Sequence, residues 1–121
     1  MRQIYARTWT KTLSASSSKY VYSDRLKAGF VLTVLSCVAY SAEAEAADAI
    51  LIGIENGGEN TLCEAKAITA AKDSLATTAP LMVGEHDRVF CSFPDADTGD
   101  KIELHITGIL TRREAWQTGK E

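Results

Sequence analysis

Few residues in this 121-residue chain have the type and spacing to do chemistry. The densest oxygen cluster is Asp95-Ala96-Asp97-Thr98-Gly99-Asp100. Its three carboxylates offer ligands for a hard cation, or a base for water activated by a bound metal. The glycine is misplaced for an EF-hand loop, and no Glu follows at the position of a bidentate ligand, so a solvated turn explains the same letters. The imidazoles are His86, within Gly84-Glu85-His86-Asp87, and His105. A metal-dependent hydrolase would combine His105 with Asp95, Asp97 and Asp100; surface histidines are the simpler reading. The chain has no phosphate-cradling glycine loop, no Gly-x-Ser-x-Gly elbow and no His-Glu-x-x-His. Three cysteines and two histidines do not make a zinc finger of the usual spacing. Cys91, flanked at alternate positions by Val89 and Phe93, reads as a buried thiol rather than a nucleophile. These residues lead to the expectation of a non-enzymatic protein with no cofactor and no metal.

The elements that would position these groups read as strands. Ile50, Ile52 and Ile54 share a face by period two, and Asn56-Gly57-Gly58 follows as a turn that accepts positive φ. From Thr61 to Thr69, Cys63, Ala65 and Ala67 alternate with Glu64 and Lys66, which predicts a strand with the cysteine on its apolar side; the Thr61-x-x-Glu64 spacing would also suit a short helix. Val89, Cys91 and Phe93 form another such face, and Ile102, Leu104 and Ile106 alternate cleanly with Glu103, His105 and Thr107. Gly108 marks a bulge. The tail from Thr111 to Glu121 leaves Trp116 unplaced.

Charge is unevenly distributed. Residues 1–27 hold six bases and one acid, whereas residues 47–121 hold thirteen acids and seven bases. The overall balance of 13 Lys+Arg against 16 Asp+Glu excludes a nucleic-acid-binding surface spread over the whole protein. Between the two zones lies an uncharged apolar run, 28–39, followed by small-residue sites ending at Ala44 or Ala46. The order basic, apolar, small is that of an export signal, and the run is short of the ~20 residues that a membrane-spanning helix needs. The alternatives are an uncleaved anchor over 28–46, lipidation at Cys37, and a mitochondrial presequence.

The details of the basic zone add to this. Ile4, Tyr5, Trp9 and Lys11, then Tyr20-Val21-Tyr22-Ser23-Asp24 before the apolar run, resemble the extended signal-peptide region of type V secreted proteins, the autotransporters and two-partner exoproteins. The resemblance covers residues 1–46 and implies export towards the cell surface. The part after it is too short for an outer-membrane barrel, which implies a shortened relative or a small protein sharing the signal. A second likeness, of Gly99 to Leu110 to an early strand of FK506-binding prolyl isomerases, fails because too little chain follows to build that domain.

The expected organisation is an extended signal over 1–46 (basic 1–27, helical apolar 28–39, cleavage region 40–46) and a small all-β domain over 47–121. That domain is expected as an immunoglobulin-like or related β-sandwich of five to seven strands, stapled by a Cys63–Cys91 disulfide worth about 3–4 kcal/mol for a loop of about 29 residues. Its expected function is that of an exported interaction or surface module whose acidic surface suits basic partners, touching membrane only through the signal.

Overall fold

The computed structural model describes residues 5–15, 19–42, 49–67, 74–96 and 100–112, and every regular element in them is a β-strand. In chain order these are β1 (Tyr5–Ala15), β2 (Tyr20–Tyr22), β3 (Phe30–Ser41), β4 (Ala49–Asn56), β5 (Glu59–Ala67), β6 (Ser74–Ala76), β7 (Leu81–Val83), β8 (Arg88–Ser92) and β9 (Ile102–Arg112). Sheet A runs β1-β9-β3-β6, with β7 also paired to β3; sheet B runs β2-β8-β4-β5. All pairings are antiparallel.

The pairs are nested. The β4–β5 hairpin closes on Gly57 and Gly58, both at positive φ (58° and 92°), as the Asn-Gly-Gly turn requires. Around it, β3 pairs with β6 and β7, β2 with β8, and β1 with β9. With β6 and β7 taken as one interrupted lane, this is one long hairpin rolled into two four-lane sheets, the jelly-roll form of the β-sandwich. The expected all-β sandwich is therefore present, and of the two forms expected, immunoglobulin-like or related, its rolled-hairpin strand order is that of a related one.

The core lies between the sheets. Leu32, Val34, Cys37, Ala39, Ile102, Leu104 and Ile106 of sheet A meet Ile50, Ile52, Val89 and Cys91 of sheet B in a single cluster, each at most 1% exposed. The alternations read at 50–54, 89–93 and 102–106 all deliver these inward faces.

The run at 28–39 departs from expectation. It forms most of β3, a strand rather than a helix, and β3 is the hub of sheet A, paired with β9, β6 and β7. A bulge between Val34 and Ser36 leaves Leu35 without a partner on β9, so the inward set changes from 32 and 34 to 37, 39 and 41. That shift breaks the period of two. The outward set, Val31, Thr33, Val38 and Tyr40, is uncharged as well, so the segment reads as a continuous apolar run. The strands within 5–41 and those within 49–112 share both sheets, so the described residues do not divide at position 46. The cleavage sites at Ala44 and Ala46 lie outside the described residues, as does Trp116.

Candidate functional surfaces

Asp95 is exposed, and its carboxylate accepts the backbone N–H of Ala49 at 3.1 Å, which ties the acidic loop to the start of β4. Asp97 lies outside the described residues. Among the described residues no group of three or more His, Cys, Asp or Glu is placed to hold a metal ion.

The histidines are apart and at the surface. His86 occupies the β7–β8 turn at φ 69°, the left-handed region; its N–H bonds Leu26 O at 2.7 Å and its carbonyl accepts from Arg25 at 3.0 Å. His105 projects from the outer face of sheet A, as its place in the alternation predicts. Its Nε2 lies 3.1 Å from Glu103 Oε1, and its Nδ1 lies 3.3 Å from the Thr12 hydroxyl. Hydroxyl, imidazole and carboxylate thus stand in a line on adjacent strands, an arrangement that sequence spacing hid because Thr12 and His105 are 93 positions apart. The line lies on an open strand surface where the neighbouring backbone N–H groups serve the sheet ladders. Nucleophilic catalysis needs an enclosing site and N–H donors aimed at the reacting oxygen as well.

The three cysteines are free thiols, so the expected Cys63–Cys91 disulfide is absent. Cys91 faces the interior from β8, whereas Cys63 is exposed on β5. The reason is a second bulge: Ile52 pairs with Glu64 and Gly53 with Leu62, which leaves Cys63 unpaired between them. Cys63, Ala65 and Ala67 face outward, contrary to expectation. The stems of Glu64 and Lys66 turn inward instead and bridge the open side of the sandwich. Glu64 accepts from Thr78 N at 2.7 Å, and Lys66 Nζ donates to Ser74 O at 3.1 Å. Burial pushes the Cys37 and Cys91 thiols up to about 12, Cys37 further disfavoured by the negative charge that Cys91 would carry; both are unreactive core groups.

Two features were not legible as sites. The first is an ion-pair cluster at one end of sheet B. Glu55, 3% exposed, accepts from Arg25 at 2.5 Å, from Arg88 Nε at 2.7 Å and from Gly58 N at 2.6 Å. The Arg88 guanidinium also lies 3.9 Å from the Tyr22 ring centroid, and Tyr22 stacks on Tyr20. Arg25, foremost, holds the Glu55 carboxyl down to about 2 against the opposing effect of burial.

The second is the outer face of sheet A. Its cross-strand rows read Ala6–Thr111–Val31, Thr8–Ile109–Thr33–Met82 and Thr10–Thr107–Ser36. Leu35 (51% exposed), Met82 (63%) and Ile109 (39%) stand in or beside these rows, and no charged residue does. Among the described residues, charge returns to this face at the end that carries His105 and Glu103. Thr8, Thr10 and Thr12 alternate on β1, the signal that was available in the sequence.

No family model matches the chain, and no curated protein is similar to it in sequence. Among solved structures, it is similar to a chain from a study of Bacillus endospore appendages described as a family of disulfide-linked pili. The TM-score is 0.50 at 10% identity, over 94% of this chain and 92% of that one. The likeness is one of fold, and it extends through the N-terminal strands.

Proposed function

We propose that this chain is a non-enzymatic structural module of a cell-surface assembly, and that it associates with a second copy of itself through the outer face of sheet A. One observation carries the reading: three strands, with β7 as a fourth at Met82, present rows of threonine, serine and exposed aliphatic side chains without a charge, in a chain that is 24% charged. Two copies can press such faces together without burying or opposing ions, whereas charged sheet faces resist it. The three uncharged rows, five residues long on β1 and three to four lanes wide, give a patch of roughly 250–350 Å². A pair pressed together on it buries roughly 500–700 Å², so the association is a weak one.

Export is part of the proposal. It is supported by a fold similar to that of a pilus protein. In this reading β1 to β3 stay in the mature protein.

Light scattering coupled to size exclusion tests the association. The wild-type chain is expected to run as a dimer or larger species at hundreds of micromolar, and Ile109→Lys with Thr33→Lys as a folded monomer. A wild-type chain that stays monomeric at millimolar concentration overturns the reading.

A further inference from the structure

We propose that β1 is a pairing edge: it joins the β1 of a second copy, antiparallel and centred on Thr10, so that sheet A runs on through two chains. β1 ends the path of sheet A, with β9 as its neighbour on one side and, among the described residues, no strand on the other. Its register with β9 is unbroken over all 11 residues, whereas β5, at the edge of sheet B, carries the bulge at Cys63. β2 and β6, the other strands at the ends of the two sheets, have three residues each. A long edge strand with neither bulge nor proline presents a row of backbone donors and acceptors that another strand can take up.

The strand is its own complement. Thr10 is the middle residue of Tyr5–Ala15, so a pair centred there is the one antiparallel register that engages the whole strand. In it Thr10 falls opposite Thr10, Thr8 opposite Thr12, Ala6 opposite Ser14, Trp9 opposite Lys11 and Arg7 opposite Leu13. Each base therefore meets an uncharged position. Centred one residue earlier, on Trp9, the strand would set Arg7 against Lys11, and like charges directly opposite repel. Thr8, Thr10 and Thr12 are exposed on the outer face, and threonine pairs across strands are favourable, so the uncharged rows continue into the partner without interruption.

Two edge-paired copies present twice the uncharged patch, roughly 500–700 Å², and a second such pair pressed on it buries roughly 1,000–1,400 Å². That reaches the ~1,000 Å² of a specific interface, which the patch of one copy does not. Edge and face are each weak alone; together they hold a four-chain unit with two kinds of two-fold contact. This last step rests on the outer-face association proposed above, whereas the edge pairing does not.

Disulfide trapping tests the edge, because it captures a transient pair. The full chain carries Cys63→Ser, which removes the exposed thiol, and Ile109→Lys with Thr33→Lys, which remove the face contact. Opposite Cα atoms of an antiparallel pair stand about 4.5–5.5 Å apart, within the reach of a disulfide. With diamide as oxidant at hundreds of micromolar protein, Thr10→Cys is expected to form a two-chain disulfide at least tenfold faster than Thr8→Cys or Thr12→Cys alone. Thr8→Cys mixed with Thr12→Cys should crosslink at least fivefold faster than either alone. Each variant is first checked for the thermal midpoint of its parent. Equal rates at the three positions, a fastest rate at Thr8 or Thr12 alone, or no crosslinked dimer overturns the proposal. With Ile109 and Thr33 restored, the Thr10→Cys disulfide dimer should run as a four-chain species in light scattering. A dimer that traps as expected yet stays two-chain overturns the face association and leaves the edge pairing standing.

Discussion

Gly108 and Thr33 leave no room for a side chain between them: a Cβ at 108 would stand 2.4 Å from the Thr33 carbonyl oxygen and 3.1 Å from the Cα of Val34. The contact is the inner side of the β3 bulge, where β9 comes closest to the displaced backbone. Both obstacles are main chain, so neither can turn away. Gly108→Ala is therefore expected to cost about 1–3 kcal/mol, the range for overpacking, with Gly108→Val worse. Urea unfolding of the two variants checks the order.

Glu55 makes stability depend on acid. Its folded-state carboxyl titrates at about 2, below the ordinary 4.5. A depressed carboxylate adds stability that is fully present above pH 4.5 and is lost as pH falls towards 2. Wild-type unfolding free energy should therefore drop across that window. In Glu55→Gln the drop should shrink, and the variant should also be less stable at pH 7 because Arg25 and Arg88 lose their shared partner. Denaturant midpoints measured from pH 2 to 7 give both results.

The thiols should separate by exposure. With Cys37 and Cys91 sealed in the core and Cys63 on the surface, an aromatic disulfide reagent at pH 8 is expected to label one thiol per folded chain and three in denaturant. An intact mass lighter by two hydrogens would show an internal disulfide instead.

Shortening the chain tests the hub role of β3. A variant starting at residue 47 loses Leu32, Val34, Cys37 and Ala39 and strips β9 of both neighbours. Each large buried side chain is worth roughly 2–5 kcal/mol, against a total stability of about 5–15 kcal/mol, so the fragment should show an unfolded spectrum. The same measurement decides whether processing near residue 46 is compatible with this fold.

The later strands were legible because their inward positions recur with period two: Ile50 and Ile52, Val89 and Cys91, and Ile102, Leu104 and Ile106 are all buried between the sheets, although β8 buries Phe90 and Ser92 on its other side as well. β3 was not, for two reasons that compound. Its bulge interrupts the alternation, and its outward side belongs to an uncharged sheet face, so polarity never reports which side is out. β5 misled for a related reason, since a bulge at Cys63 exchanged the faces and long charged stems, not alanines, cover the open side. The surfaces were harder to read than the strands. Glu55 meets Arg25 and Arg88, and His105 meets Thr12, only because the rolled hairpin brings distant segments into register.

The nesting also orders events in time. β9 lies between β1 and β3, yet it is the last of the described strands to leave the ribosome. At about 5–20 residues per second, the threonine-bearing β1 waits roughly 5–20 seconds for its first in-sheet neighbour. During that interval β3, among the most apolar segments of the chain, lacks its long partner as well. The turn-closed β4–β5 unit can form first, and the short pairings of β3 with β6 and β7 and of β8 with β4 and β2 can follow before β9 appears. A nascent chain built this way invites a holding chaperone, and its yield should depend more on how slowly it is made than on how stable it finally becomes.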